Sequence, residues 1–139
     1  KSVNEDNTLS FTTSDFSGAF SDAEGSPVSK IKIINLPANG TLLLSGIAVN
    51  INDEILSANL ANLSFLPDAN WNGSTSFEWN GFDGTDYAIT AANASITVVA
   101  VNDLPTLSDI YTSENEDDIL NFSVSDFTFC SLPNVSPLR

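Results

Sequence analysis

The chain has 139 residues and a mass of 14.8 kDa, enough for one domain with a sizeable core and too short for a multi-domain enzyme. Eighteen Asp and Glu against four Lys and Arg give a net charge of -14 and a pI near 4.1, so nucleic acid and anionic membrane surfaces are repelled and cations are the natural partners. Histidine is absent and Cys130 is the single cysteine, which removes His-based general-base and nucleophile chemistry, the usual zinc and copper sites, and any internal disulfide.

Hydrophobic residues make up 42% of the chain and aromatics 9%, which places it among sequences that fold. The elements read as β in chain order. Lys30-Ile31-Lys32-Ile33 alternates polar with apolar, the period of a half-buried strand. Thr41-Leu42-Leu43-Leu44 and Ile47-Ala48-Val49-Asn50-Ile51 flank Ser45-Gly46, a tight hairpin signal. Leu56, Leu60 and Leu63 carry helical spacing with Ser57 as a cap, predicting one or two turns. Phe77 and Trp79 alternate with Glu78 and Asn80, and Ser95 to Val101 alternates again. Glu24-Gly25, Asn39-Gly40, Asn72-Gly73 and Asp83-Gly84 punctuate these runs as turns. About seven short strands in roughly a hundred residues predict an all-β, Greek-key β-sandwich of the cadherin-like or immunoglobulin-like kind, because so many half-buried strands need a second sheet to cover them.

An internal repeat organises the chain. Asn4-Glu5-Asp6-Asn7-Thr8-Leu9-Ser10-Phe11-Thr12-Thr13-Ser14-Asp15-Phe16 recurs as Asn115-Glu116-Asp117-Asp118-Ile119-Leu120-Asn121-Phe122-Ser123-Val124-Ser125-Asp126-Phe127, 111 positions later, with eight of thirteen residues identical. A period near a whole domain indicates tandem domains. The expected organisation is one repeat over 1–103, a linker over 104–112, the start of a second repeat over 113–127, whose Leu120, Phe122 and Phe127 lack most of their partners, and a non-matching tail over 128–139. The chain starts at Lys1 without a signal-like apolar segment and holds no run of about 18 apolar residues to span a bilayer, which predicts a piece of a longer precursor.

Six motifs in order carry a family resemblance: the Asn4-Glu5-Asp6 opening, Phe20-Ser21-Asp22-Ala23-Glu24-Gly25, Leu36-Pro37-Ala38-Asn39-Gly40, Phe65-Leu66-Pro67-Asp68-Ala69-Asn70-Trp71-Asn72-Gly73, Phe82-Asp83-Gly84 and Val101-Asn102-Asp103-Leu104-Pro105. The sequence resembles the cadherin-like tandem repeats of large bacterial surface proteins and RTX-type adhesins. That resemblance implies a calcium-stabilised extracellular sandwich strung end to end with its neighbours, and the Asp-x-Asp and Asp-x-Asn-Asp calcium ligands of cadherins map onto Asp22-Ala23-Glu24 and Asn102-Asp103. Glu24 stands where the family carries a second Asp.

The residues themselves are compatible with calcium, which takes six to eight oxygen ligands. Asp22 and Glu24 lie two apart in a Gly-containing loop, and Asp83 lies in another with Asp86 nearby. The expectation is that Glu5, Asp6, Asp22, Glu24 and Asp83 gather at one pole, where carboxylates without Lys or Arg among them call for a divalent cation. A second acidic set, Asn102 and Asp103 of the linker with Glu116 and Asp117 of the next repeat, is expected to be incomplete in this chain. The plainer reading of any Asp is a turn or cap; it is preferred for Asp15, Asp53, Asp68, Asp109 and Asp126, and Glu5 and Asp6 stand between the two readings.

Trp71 and Trp79 raise the alternative of a carbohydrate-binding module. The strand alternation assigns Trp79 to the core, while Trp71 in its Asn-Trp-Asn-Gly corner either plugs the sandwich or faces a sugar. The expected role is thus a non-enzymatic, calcium-stabilised spacer or adhesive segment of a long repetitive cell-surface or secreted protein. Its partners are neighbouring repeats and a cell-surface protein or glycan.

Overall fold

The computed structural model describes residues 1–111, 113, 115–123 and 125, and the chain forms two units, Lys1–Val101 and Asn102–Arg139. In the first unit the elements are β1 (Ser2–Asn4), β2 (Leu9–Ser10), α1 (Thr13–Ser17), β3 (Lys30–Asn35), β4 (Gly40–Leu44), β5 (Ile47–Ala48), β6 (Glu54–Leu56), a 3-10 turn (Ser57–Asn62), β7 (Leu63–Pro67), β8 (Gly73–Phe82) and β9 (Ala92–Val99). Two sheets pack as an all-β sandwich, one in the order β1-β9-β8-β3-β6 and the other β2-β7-β4-β5. Nine strands are present among the described residues, two more than the sequence spacing suggested, because β1 and β2 are too short to show a period.

Alternation decides which side chains enter the core. Ile31 and Ile33 of β3, Phe77 and Trp79 of β8, and Ile96 and Val98 of β9 point inward from the first sheet, and Leu9, Leu42, Leu63 and Phe65 meet them from the second. Trp79 is 4% exposed and packs edge-on against Phe16 at 5.2 Å between ring centres, so its indole is a core residue. The Ser45-Gly46 turn forms as expected, with φ of +52° and +82°, the left-handed pair that matches strand twist in a two-residue hairpin.

Three local expectations are corrected. The strand predicted over 47–51 stops at Ala48, because Asp53 accepts the Asn50 amide at 2.8 Å and closes a turn. The strand predicted to Val101 stops at Val99, because the Val101 amide leaves the ladder for a side chain described below. Ser57 does not cap the 3-10 turn; Leu56 holds that position, and the Ser57 amide bonds to the Ser29 carbonyl at 2.9 Å. The short helix α1 carried no periodic signal. It is held by Asp15, whose Oδ2 accepts the Thr12 amide at 2.7 Å while the Asp15 amide donates back to the Thr12 carbonyl at 3.1 Å, the reciprocal pairing that starts helices, and the same Oδ2 accepts the Lys1 ammonium at 2.6 Å.

Candidate functional site

The register of β8 fixes where the acidic residues lie. Its first residue, Gly73, pairs with Val98 near the end of β9, and β1 runs parallel to β9 with Asn4 beside Val99. Its last residue, Phe82, pairs with Lys30 at the start of β3. Glu5 and Asp6 therefore stand at one end of the sheet, while Asp83 and the loop carrying Asp22 and Glu24 stand at the other. A strand of 10 residues separates them, roughly 30 Å at the usual rise. The expected single cluster of Glu5, Asp6, Asp22, Glu24 and Asp83 does not form: the parallel pairing of first and last strands places the chain's opening turn beside the end of β9, away from the loop after β8.

At the first end, Glu5 is the one buried charged side chain among the described residues, 4% exposed. Its Oε1 accepts the Val101 amide at 2.6 Å, its Oε2 accepts Asn72 Nδ2 at 3.5 Å, and its own amide donates to the Val99 carbonyl at 2.9 Å. Asp6 follows at φ +61° and its Oδ1 accepts the Asn70 amide at 3.1 Å. Asn70 and Asn72 belong to the Asn-Trp-Asn-Gly corner. They bind the two carboxylates of the opening turn, and Trp71 between them is half-buried against the core. No local signal marks this pairing, since the partners are more than sixty positions apart.

At the second end, Asp83 Oδ1 accepts the amides of Thr85 and Asp86 at 2.6 and 2.8 Å. Asp22 Oδ2 accepts the Ser26 amide at 2.9 Å, and that hydrogen bond holds its carboxyl below the usual range. Cationic side chains stand at this end too, contrary to the expectation that none would. Lys30 bonds Glu54 at 2.6 Å and lies 4.7 Å from the Phe82 ring centre, and Lys32 lies 4.9 Å from that of Tyr87. The ion pair raises Lys30 and lowers Glu54, and the Tyr87 hydroxyl donates to the same carboxylate. Burial, then Glu54, raises Tyr87.

At both ends carboxylate oxygens are engaged by the protein itself: both of Glu5, Oδ2 of Asp22 and Oδ1 of Asp83. Among the described residues no group of three or more acidic or thiol side chains comes together as a metal site. No protein-family model, curated protein or solved structure matches this chain.

The second unit carries the repeated turn. Asp118 donates its amide to the Asn115 carbonyl at 3.1 Å with Asp117 at φ +75°, as Asn7 donates to Asn4 at 3.3 Å with Asp6 at φ +61°. The Asn-Glu-Asp opening thus encodes one conformation twice. Glu116 and Asp117 are exposed, as are Asn102 and Asp103, which fall in this unit. Asp109 accepts the Tyr111 hydroxyl at 3.1 Å. Asp126, Phe127, Cys130 and the tail 128–139 lie outside the described residues.

Proposed function

We propose that this chain is a non-enzymatic repeat module, a spacer or adhesive segment of a long cell-surface or secreted protein, in which calcium stiffens the junctions between repeats. The observation that carries the reading is the parallel pairing of β1 with β9. Because both strands run the same way, a chain enters the sandwich from the Asp83 end and leaves from the Glu5 end. That is the path an end-to-end array requires, and the 111-residue repeat supplies the array.

The separation of the carboxylates supports the same reading. In an end-to-end array, Glu5 and Asp6 at the exit of one repeat face Asp22, Glu24 and Asp83 at the entrance of the next. Asn102 and Asp103 follow at the end of the first repeat, just before the linker. The two faces brought together repel one another unless a divalent cation intervenes. A carbohydrate-binding module needs an exposed indole, and the burial of Trp79 removes one of its two candidates.

The test is thermal melting of a protein with two complete repeats, in millimolar calcium and in EGTA. Calcium at a hundredfold excess over Kd adds about 2.7 kcal/mol, a rise of roughly 10 °C for a domain of this size. Asp22→Asn with Asp83→Asn in the second repeat removes the rise. Superimposable melts would reject the calcium junction.

A further inference from the structure

β9 is longer than the strand that covers it. β1 pairs with Thr97 to Val99, and the α-amine of Lys1 donates to the Ser95 carbonyl at 3.0 Å. Among the described residues no strand lies beyond Ser95 on that side of β9. The Thr97 amide donates to the Lys1 carbonyl at 2.9 Å and the Glu5 amide to the Val99 carbonyl, so the odd-numbered residues of β9 turn their main chain toward β1. By the same alternation the Ser95 amide and the Asn93 carbonyl face outward at the level where a residue two places before Lys1 would stand. Below this edge is a cleft of about 190 Å³ lined by Phe16, Trp79, Ala92 and Ala94, with Lys1 and Asp15 at its side. Alanines on the inward face of β9 leave it open, where Ile96 and Val98 close the rest of the strand.

We propose that this edge and cleft receive a parallel strand: the segment that precedes a repeat's first strand, of which Leu104–Tyr111 is this chain's own example. The proposal rests on the tandem-repeat reading. The 111-residue offset aligns Thr112 with Lys1, so Ile110 aligns with the position two before Lys1. That position takes both main-chain bonds, from the Ser95 amide and to the Asn93 carbonyl. It also shares the inward face of Lys1 and Val3, of which Val3 packs on the core and Lys1 lies 5.6 Å from the Phe11 ring centre. The isoleucine side chain then enters the cleft over Ala92 and Ala94, and Asp109 and Tyr111 face solvent. Leu104 and Ile110, which share the inward parity, are 84% and 43% exposed in the second unit. Strand addition to an open edge draws affinity from main-chain bonds and selectivity from alternate side-chain pockets.

The experiment uses the full chain with Leu104–Tyr111 copied as an extension in front of Lys1, in EGTA so that the result is independent of any calcium junction. The expected result is hydrogen exchange at the Ser95 and Asn93 amides slowed by about tenfold or more, with a higher melting temperature. Ile110→Asp within the extension should abolish both gains. Unchanged exchange and melting would overturn the proposal. So would protection that appears without the extension and grows with protein concentration, which would assign the edge to a second copy of the chain. A two-repeat protein that ignores calcium yet shows the protection would reject the junction alone.

Discussion

The Glu5 carboxylate accepts the Val101 amide at 2.6 Å, so the residue after the first strand is fastened to the second residue after the last. The bond closes the exit end of the sandwich and fixes where the chain departs. Replacing Glu5 by Ala strands the Val101 amide and removes the Asn72 contact. A hydrogen bond to a charged group contributes about 1.5–3 kcal/mol, so Glu5→Ala should lower Tm by roughly 10 °C. Glu5→Gln, which keeps an acceptor, should lose less. Amide exchange at Val101 should accelerate in the alanine variant, and an unchanged rate would show that the bond does not hold the exit strand.

Two glycines separate steric from conformational need. A Cβ on Gly40 would lie 2.4 Å from the Phe65 ring and 2.6 Å from the Leu66 carbonyl oxygen, and Phe65 is fully buried. Gly40→Ala should cost about 3 kcal/mol as overpacking. Gly46 has open space but sits at φ +82°, so Gly46→Ala should cost only about 1 kcal/mol. Denaturant melts of the two variants check the order, and equal losses would contradict it.

Much of this was legible and some was not, for a physical reason. The Lys30 to Ile33 alternation, the Ser45-Gly46 hairpin and the burial of Trp79 are written in adjacent residues, where strand period and turn chemistry act. The separation of Glu5 from Asp83 depends on which strands become neighbours and in which direction. No stretch of sequence states that β1 runs parallel to β9. The ion pair of Lys30 with Glu54 needs the β3–β6 pairing, and the five-residue α1 is too short to show a period.

Asp15 gives a pH prediction. Burial alone would raise its carboxyl, but the Lys1 ammonium and the Thr12 amide and hydroxyl outweigh that and hold it below the ordinary value. A group depressed in the folded state contributes stability above its unfolded pKa, about 3.9 for Asp, and loses it as pH falls through the folded value. Asp15→Asn should therefore cost about 1 kcal/mol at neutral pH, as for a lost helix start, and the gap between variant and parent should begin to close as pH falls through about 4 and vanish below the folded value. A gap that persists to lower pH would show that the carboxylate charge is not what matters.

The central claim is that the chain enters one end of the sandwich and leaves at the other. Small-angle X-ray scattering of a protein with two complete repeats, set against the 139-residue chain, tests it most directly. The account predicts an elongated particle in calcium, with the second sandwich extending the maximum dimension by about one sandwich length. A compact side-by-side pair would contradict it.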